Sequence, residues 1–395
     1  MPGTPRFELV DTPDAFRRTA DALSRGCGPF ALDTERASTF RYDDRAFLVQ
    51  VHRRGAGTFL IAPEGHRDAV RETLAPVIGG GDWILHAAGE DLPSMAELGL
   101  HPGRLFDTEL AARLGGFPRS NLAAMVEHFT GVVLEKGHGR EDWSVTPLPA
   151  DWQVYAAQDV IHLNDLAEAL AEHLDAHGKL GMAEQEFSHL AAINRGGAQV
   201  PGRTWRDVKG VSFLADPAQL QVARALWTAR DARGRAADIS PHTILPNRVL
   251  VDLARTQPAT ARDIALVKGF PRRRRGAPEL WAGVIREALQ AERSTWPERK
   301  KGGPGAPAKQ WWERNHPDSW SSLLAARTAV ADRAAELAMP AETLLQSAVL
   351  RELVWHVFSS GGLHDTDSVA RGLAARGARP WQVEETAAPI SGALS

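Results

Sequence analysis

Acidic side chains occur in three separated patches of this 395-residue chain, at spacings that could bring them together. Asp33 and Glu35 end a short apolar run, and the two-residue period of a strand places both carboxylates on one face. Tyr155 and Asp159 lie four residues apart in a helical stretch, which places them on one helix face. Asp91 stands between these patches, where a predicted strand is followed by the start of a helix.

Four carboxylates that converge on one point repel one another, and such a cluster is stable only when cations neutralise it. Hard divalent ions that prefer oxygen ligands, Mg²⁺ or Mn²⁺, fit this role best. Zinc is not expected, because no cluster of Cys or His accompanies these acids in the sequence. The residue types therefore predict a site for divalent cations, with Asp33, Glu35, Asp91 and Asp159 as its ligands.

The same residues, in this order and at this spacing, resemble the three exonuclease motifs of the DEDD superfamily. Tyr155, four residues before Asp159, is typical of the DEDDy branch, and the local sequence is similar to the ribonuclease D family. The resemblance covers roughly residues 5–195. The matching segments are Leu32–Glu35, His86–Leu92, Asp107–Thr108 and Tyr155–Val160.

The resemblance implies a ribonuclease H-like α/β fold, in which a mixed sheet with an early three-stranded meander is flanked by helices. It also implies two divalent cations. Asp33 would bridge both ions, Glu35 and Asp159 would complete the ion on the nucleophile side, and Asp91 would hold the other ion, partly through water. Tyr155 would orient the attacking water, since a phenol with a pKa of about 10 is protonated at neutral pH.

Polar residues near the motifs receive other interpretations. Glu90 is predicted to be a neighbour of the site and not a ligand, and Asp107 to be a helix N-cap. His86 is expected to pack or to form a hydrogen bond at the end of a strand. His138 lies in a glycine-rich loop that could approach the substrate strand, although the sequence gives no specific role for it.

The chain departs from the family at the mouth of the site. Arg36 replaces the aromatic or apolar residue that usually follows Glu35, and the segment 40–45 is more charged than is typical. By analogy these positions line the entrance, so the departures bear on substrate preference and not on catalysis.

Composition points to a reducing compartment. Cys27 is the only cysteine, so no intrachain disulfide can form, and we find neither an apolar signal core near Met1 nor an apolar run of membrane-spanning length. We therefore expect a cytoplasmic protein without a membrane partner.

The net charge of −3 is unevenly distributed: residues 1–195 hold 18 Lys and Arg against 29 Asp and Glu, which leaves 28 against 20 in residues 196–395. A basic second half suits a polyanionic partner, although domains can also simply differ in isoelectric point.

Two glycine-rich breaks, at 196–202 and 300–309, predict three domains: 1–195, 203–295 and 310–395. Within the first domain we expect strands and then mostly helices. The predicted strands are Phe30–Asp33, Phe47–His52, Gly57–Ile61 and Trp83–His86. The predicted helices are Pro13–Ser24, Gly65–Leu74, Asp91–Leu98, Asp107–Leu114, Leu122–Phe129 and Trp152–His177.

The second and third domains resemble each other at an offset of 100 residues, where Ile239–Leu245 aligns with Met339–Leu345. Each copy predicts a small all-α bundle that begins with a long helix, at 219–236 or 321–337, and continues with a helix opening near Thr243 or Thr343. The first copy resembles an HRDC domain, a helical nucleic-acid-binding module. The second copy is a divergent, HRDC-like domain.

A basic patch lies in the first copy. Five cations fall within eight positions, and they can bind RNA phosphates by charge, although a solvated loop has the same composition. Trp311, Trp312 and Trp320 could stack on bases, but packing of the linker onto a bundle is the favoured interpretation. The cations are Lys268, Arg272, Arg273, Arg274 and Arg275.

Taken together, the sequence predicts a metal-dependent 3′→5′ exoribonuclease that releases 5′-mononucleotides from RNA with a free 3′ end. The resemblance implies tRNA precursors and other small structured RNAs as substrates. Two alternatives stay open: a 3′→5′ exonuclease that acts on DNA, and a catalytically silent RNA-binding adaptor. A monomer is expected, because no coiled coil or exposed apolar stripe stands out in the sequence.

Overall fold

A computed structural model of the chain describes residues 5–37, 39–134, 137–195, 204–272, 276–299, 305–361 and 365–394. Arg273, Arg274 and Arg275 of the predicted basic patch lie outside the described residues. So do the whole break at 196–202 and the first part of the break at 300–309.

The first domain is built on a six-stranded mixed sheet in the order β1-β4-β3-β2-β5-β6. β2, β3 and β4 are antiparallel neighbours and form the expected meander, whereas β1–β4, β2–β5 and β5–β6 are parallel pairs. The prediction of a mixed sheet flanked by helices is confirmed. The strands are β1 (Glu8–Val10), β2 (Cys27–Arg36), β3 (Ala46–Arg54), β4 (Gly57–Ile61), β5 (Asp82–Leu85) and β6 (Arg104–Asp107).

Helices α1 to α9 accompany this sheet. They are α1 (Pro13–Arg25), α2 (Arg67–Thr73), α3 (Ala75–Ile78), α4 (Leu92–Ala96), α5 (Thr108–Leu114), α6 (Leu122–Thr130), α7 (Ala150–Ile161), α8 (Leu163–Ala176) and α9 (Leu180–Asn194). The prediction of one helix over Trp152–His177 is wrong, because the helix is interrupted at His162, which separates α7 from α8. The two helices share β2 and then pack in opposite directions across the sheet: α7 also contacts β3 and β4, whereas α8 also contacts β5.

The central strand β2 is fixed by the core on either side of it. Ala31 and Leu32 are fully buried, and Phe30 and Ala31 pair with Trp83 and Ile84 of β5. The indole of Trp83 is itself buried and donates to the carbonyl of Ile78 at 2.8 Å. The apolar run before Asp33 therefore anchors the acidic end of β2 in a rigid sheet.

The remaining helices form two series with the same order of elements. The first is α10 (Pro217–Ala237), α11 (Pro241–Ile244), α12 (Asn247–Thr256), α13 (Ala261–Leu266) and α14 (Ala277–Gln290). After α15 (Lys309–Asn315), the second is α16 (Pro317–Glu336), α17 (Ala341–Leu344), α18 (Ser347–Ser360), α19 (Thr366–Ala374) and α20 (Pro380–Leu394). The elements near Thr243 and Thr343 are single helical turns, so the expected second helices begin later, at Asn247 and Ser347.

The two helical series attach to the first domain differently. The first has a hydrophobic core of its own, around Leu226, Leu250 and Trp281. The second shares one continuous core with the first domain. Trp312 and Trp320 are buried in that shared core, which confirms the packing interpretation for these two side chains, whereas Trp311 is half exposed.

Polar contacts reinforce this shared core. Glu186 of α9 accepts hydrogen bonds from Arg379 Nε at 2.6 Å and from Trp381 Nε1 at 2.8 Å. The buried Lys179 ammonium donates to the carbonyls of Leu114 and Ala338, at 2.8 and 3.3 Å, and so links the ends of two helices from different segments. The last helical segment is thereby fastened directly to the first domain.

Replacement of Leu32 by alanine should test the role of the β2 core. The side chain is fully buried, and its loss leaves a cavity, so we expect the free energy of unfolding to fall by about 2–5 kcal/mol. Chemical denaturation followed by circular dichroism measures this change. Leu324→Ala, at a side chain that is 45% exposed, is the matched control; equal effects of the two substitutions would contradict the assignment.

Candidate active site

The carboxylates of the first and third motifs converge at the acidic end of β2. Asp33 and Glu35 point to the same face of the strand, and α7 packs across that face. Oxygen atoms of Asp33, Glu35 and Asp159 lie within 4.8 Å of one another, a separation at which one metal ion can be held. The structure thus brings together three of the four predicted ligands directly.

Asp91 approaches the same cluster from another side. It follows a single 3₁₀ turn at Ala88–Glu90 and precedes α4. Its Oδ1 accepts a 2.6 Å hydrogen bond from Thr34 Oγ1, and a guanidinium nitrogen of Arg36 lies 3.9 Å away. Thr34 lies between Asp33 and Glu35 in β2, so its side chain points to the opposite face of the strand. One face of β2 therefore binds Asp91 through Thr34, and the other face carries Asp33 and Glu35.

Burial and the charges of neighbouring acids both raise the pKa values of these four acids. Burial is the larger cause for each of the four. The pKa of Glu35 rises to about 9, that of Asp159 to about 7 and that of Asp91 to about 6. The pKa of Asp33 also lies well above its ordinary value, because burial and then the charges of the other three acids raise it. A cluster that resists ionisation in this way is stabilised by a cation.

Tyr155 lies one turn before Asp159 on α7 and donates its hydroxyl to the Asp159 carboxylate. Burial and the nearby acids raise the pKa of this phenol. The hydroxyl therefore stays protonated at neutral pH and serves as a hydrogen-bond donor in the cluster.

Gln50 is a site residue that the sequence analysis missed. It pairs with Asp33 across the β2–β3 ladder, is completely buried, and donates from Nε2 to Glu35 Oε1 at 3.4 Å. Within the described part of the chain, its Oε1 is buried without a hydrogen-bond partner. The sequence does show Gln50 as a polar residue inside the apolar run Phe47–Val51, which could have marked it as a site residue. Only the pairing register of β2 and β3 shows that it lies opposite Asp33.

The donor set fits a divalent cation. All the converging groups are carboxylates, which are ligands that Mg²⁺ and Mn²⁺ prefer. The unpartnered Oε1 of Gln50 is a buried acceptor directly beside them, a position at which a water held by such an ion can be bound. Asp33, Glu35 and Asp159 are the residues that could hold the ion.

The other polar residues near the motifs have structural contacts. Asp107 caps α5 through the amides of Glu109 and Leu110 and also accepts from those of Ala87 and Ala88, as the N-cap interpretation expected. His86 shares a 2.9 Å hydrogen bond with the hydroxyl of Thr108, and burial lowers its pKa to about 4. The interpretations of Asp107 and His86 are confirmed.

The entrance beside Glu35 is a polar pocket. Arg36 donates to the carbonyl of Glu90, whose own carboxylate is exposed. The ring of His138 lies 5.7 Å from that of Tyr155, so the loop that carries it lies beside the site. The residues that line the pocket include Glu35, Arg36, Thr39, Phe40, Gly139 and Arg140.

The cations of the predicted basic patch that the structure describes are Lys268 and Arg272, and both are exposed. Their exposure leaves them accessible to a ligand, and a role in RNA binding stays a prediction. No helix in the described ranges is long and apolar enough to cross a membrane.

Comparison with known protein families defines the class of this protein. Residues 7–175 match a model of 3′-5′ exonuclease domains, and residues 219–277 match a model of HRDC domains. Residues 305–394 match a model described as a 3′ to 5′ exonuclease C-terminal domain. The chain is therefore a 3′→5′ exonuclease followed by an HRDC domain and a helical C-terminal region. The domain boundaries at 195, 203, 295 and 310 stay predictions.

Relatives narrow this class to one family. The chain is 31% identical to ribonuclease D of Escherichia coli strain K12 over 265 residues, which are 65% of this chain and 68% of the relative. It belongs to the ribonuclease D family, so the prediction of an enzyme of the ribonuclease D type is confirmed.

Solved structures agree with the fold. A protein from Bifidobacterium adolescentis is 34% identical and matches with a TM-score of 0.87 over 99% of both chains. The crystal structure of Escherichia coli ribonuclease D matches with a TM-score of 0.69 at 24% identity, over 89% of this chain and 91% of that one. The second match supports the shared fold alone.

Removal of the Gln50 amide should weaken metal binding. The Gln50→Leu substitution keeps approximate size but loses the donor to Glu35 and the free acceptor, so the affinity for Mn²⁺ should fall by about 10–100-fold. Isothermal titration with Mn²⁺ alone measures this affinity. Gln219→Leu, at an exposed amide of α10, is the control. An unchanged affinity in Gln50→Leu would contradict the role assigned to this residue.

The raised pKa values predict that metal-free protein loses stability as pH rises. The pKa of Glu35 moves from its ordinary value of 4.5 to about 9 in the folded chain. Between these values the folded state holds protons that the unfolded state releases, so the free energy of unfolding falls with increasing pH. Melting temperatures in EDTA should therefore decrease from pH 5 to 9, and Mg²⁺ should oppose the decrease. Glu35→Gln should flatten the profile, whereas a flat profile in the unsubstituted chain would refute the prediction.

Proposed function

We propose that this enzyme removes 5′-mononucleotides one at a time from the 3′ end of RNA, by hydrolysis that depends on two divalent cations, Mg²⁺ or Mn²⁺. The observation that carries the proposal is the convergence of Asp33, Glu35 and Asp159 within 4.8 Å. Tyr155 donates a hydrogen bond into the same group.

Bound divalent ions would supply an activated water and stabilise charge on the phosphate and the leaving 3′ oxygen. By the family resemblance, Asp33 would bridge two ions, and its carboxylate lies within 4.8 Å of those of Glu35 and Asp159. Glu35 and Asp159 would complete the ion on the nucleophile side. Asp91, which Thr34 holds from the opposite pleat, would serve the second ion.

Tyr155 would position the attacking water and not remove its proton. Its raised pKa keeps the hydroxyl protonated, and the hydroxyl interacts with the Asp159 carboxylate one turn further along α7. With Asp159 ionised and bound to metal, the phenol oxygen still offers acceptor capacity to a water at the cluster.

The helical domains would hold the body of the RNA while its single-stranded 3′ tail enters the site. The solved Escherichia coli relative is described as an exoribonuclease involved in structured RNA processing. By analogy we propose tRNA precursors and other small structured RNAs as substrates. A monomer in the cytoplasm is the proposed setting.

The Asp33→Asn substitution should abolish hydrolysis. A neutral amide cannot bridge two cations, and the loss of one ligand charge should lower the rate by at least about 10³-fold. The assay follows a 3′-tailed RNA hairpin, labelled at its 5′ end, with Mg²⁺ or Mn²⁺. The expected product is a ladder that shortens by single nucleotides and disappears with EDTA. Asp68→Asn, at an exposed acid of α2, should cleave normally.

The same assay separates the alternatives. A matched DNA oligonucleotide tested beside the RNA determines the sugar preference, and faster shortening of DNA would favour the DNA exonuclease. Tight binding of RNA without shortening, in both the unsubstituted chain and Asp33→Asn, would overturn the enzyme proposal and leave the RNA-binding adaptor.

Neutralisation of the exposed cations of the basic patch should weaken binding of structured RNA. The double substitution Lys268→Gln/Arg272→Gln removes two phosphate contacts, so the slope of log affinity against log salt should fall in magnitude by roughly 1–2. Fluorescence anisotropy with the labelled hairpin, in the Asp33→Asn background, gives this slope at several salt concentrations. The control is Arg18→Gln/Arg25→Gln on α1, which removes the same charge from the first domain. An equal effect of both pairs would contradict a specific role for the patch.

A further inference from the structure

The first helical domain contacts the nuclease domain at the entrance to the site. The segment 39–45, called here the mouth loop, connects β2 to β3 and contributes Thr39, Phe40 and Asp44 to the pocket beside Glu35. Its outer side faces the end of α10, the long helix of the first helical domain. One wall of the pocket is therefore supported by another domain.

Asp238 is the centre of this contact. It follows α10 in the left-handed region, with φ at 49° and ψ at 48°, and its carboxylate points towards the mouth loop. Arg45 donates to both of its oxygens, at 3.1 and 2.8 Å, and Arg41 Nη1 donates at 3.3 Å. The backbone amide of Tyr42 adds a fourth hydrogen bond at 3.3 Å.

Further contacts fix the mouth loop along its length. The Tyr42 hydroxyl donates to Asp231 at 2.8 Å and accepts from Arg235 at 2.9 Å. The backbone amide of Ser240 donates to the carbonyl of Phe40 at 3.0 Å. A Cβ at Gly234 would lie 3.1 Å from Tyr42 Cδ2, so the tyrosine ring packs closely against the helix backbone.

The mouth loop also reaches the opposite wall of the pocket. Arg41 Nε donates to Ser144 Oγ at 2.7 Å, and Ser144 closes the loop that contributes Gly139 and Arg140 to the lining. Asp238 thus acts through Arg41 on both walls. The signs of these charges are opposite to those of the domains that carry them. Asp238 is an acid in the basic half of the chain, and Arg41 and Arg45 are bases in the acidic half.

We propose that Asp238 is a positioning residue for the nuclease reaction, which holds the mouth loop in the shape that receives the single-stranded 3′ tail of RNA. The nuclease domain supplies the metal ligands, and the helical domain completes the entrance. The side-chain contacts of Asp238 are with Arg41, Tyr42 and Arg45 of the mouth loop and not with the carboxylate cluster. This inference rests on the proposed function, since it names the route by which the RNA tail reaches that site.

The Asp238→Asn substitution tests the proposal with little disturbance of the backbone. Asparagine tolerates the left-handed conformation, so the turn after α10 is kept while the charge that holds Arg41 and Arg45 is lost. The KM for single-stranded RNA should rise on the order of tenfold, a typical coupling between sites, with kcat nearly unchanged. Hydrolysis of the p-nitrophenyl ester of thymidine 5′-monophosphate, which is too small to need the mouth loop, should be unaffected.

Hydrogen–deuterium exchange provides a readout independent of activity. Amides of the mouth loop should exchange faster in Asp238→Asn, whereas Asp252→Asn should leave them unchanged. Asp252 is the matched control because its partners Arg248 and Arg255 belong to its own helix, α12. In a double-mutant cycle, Arg45→Gln should add little to the KM effect of Asp238→Asn, because both substitutions break the same contact.

Two results would overturn the proposal: unchanged exchange of the mouth loop in Asp238→Asn, or faster exchange with an unchanged KM. Failure of the proposed function gives a different pattern, in which the unsubstituted chain does not shorten RNA. In that case the affinity for labelled single-stranded RNA, measured in the Asp33→Asn background, replaces KM. Asp238→Asn must lower that affinity, or the proposal fails.

Discussion

Repulsion among four carboxylates, of which Glu35 and Asp91 are buried and Asp33 and Asp159 are partly buried, is the constraint on which the rest of this structure depends. The apolar half of β2 is fixed between β3 and β5, and this rigidity forces Asp33 and Glu35 to stay together when α7 brings Asp159 to them. Burial keeps water from screening the charges, and the pKa values rise accordingly. The fold therefore holds these acids in an arrangement that bound cations stabilise. Metal-dependent hydrolysis uses the same cations.

A layer of neutral donors holds this charged cluster in place. Thr34 bonds Asp91, Gln50 bonds Glu35 and Tyr155 bonds Asp159, so three of the acids each have one neutral partner, on β2, β3 and α7 respectively. None of these donors carries a positive charge, so none of them neutralises the carboxylates in place of a cation. Asp107, although also buried, differs because four backbone amides already satisfy it.

The sequence was most informative where the relevant physics is local. The face shared by Asp33 and Glu35 follows from strand geometry, and that of Tyr155 and Asp159 from helix geometry. The short strands β1 and β6 were not predicted, because each is defined by pairing with a distant strand. The break at His162 depends on which strands α7 and α8 meet, and Gln50 required the hairpin register. The contact of Asp238 with the mouth loop joins residues almost 200 positions apart, beyond the reach of any periodicity.

The two helical domains are joined to the nuclease domain by different physical means, and salt will distinguish them. The C-terminal region shares an apolar core with the nuclease domain, whereas Asp238 and its arginines form a partly exposed ionic contact. Dissolved ions screen exposed charge pairs but act only weakly on buried apolar surface. Raised ionic strength should therefore weaken the junction at Asp238 and leave the apolar junction of the C-terminal region largely unchanged.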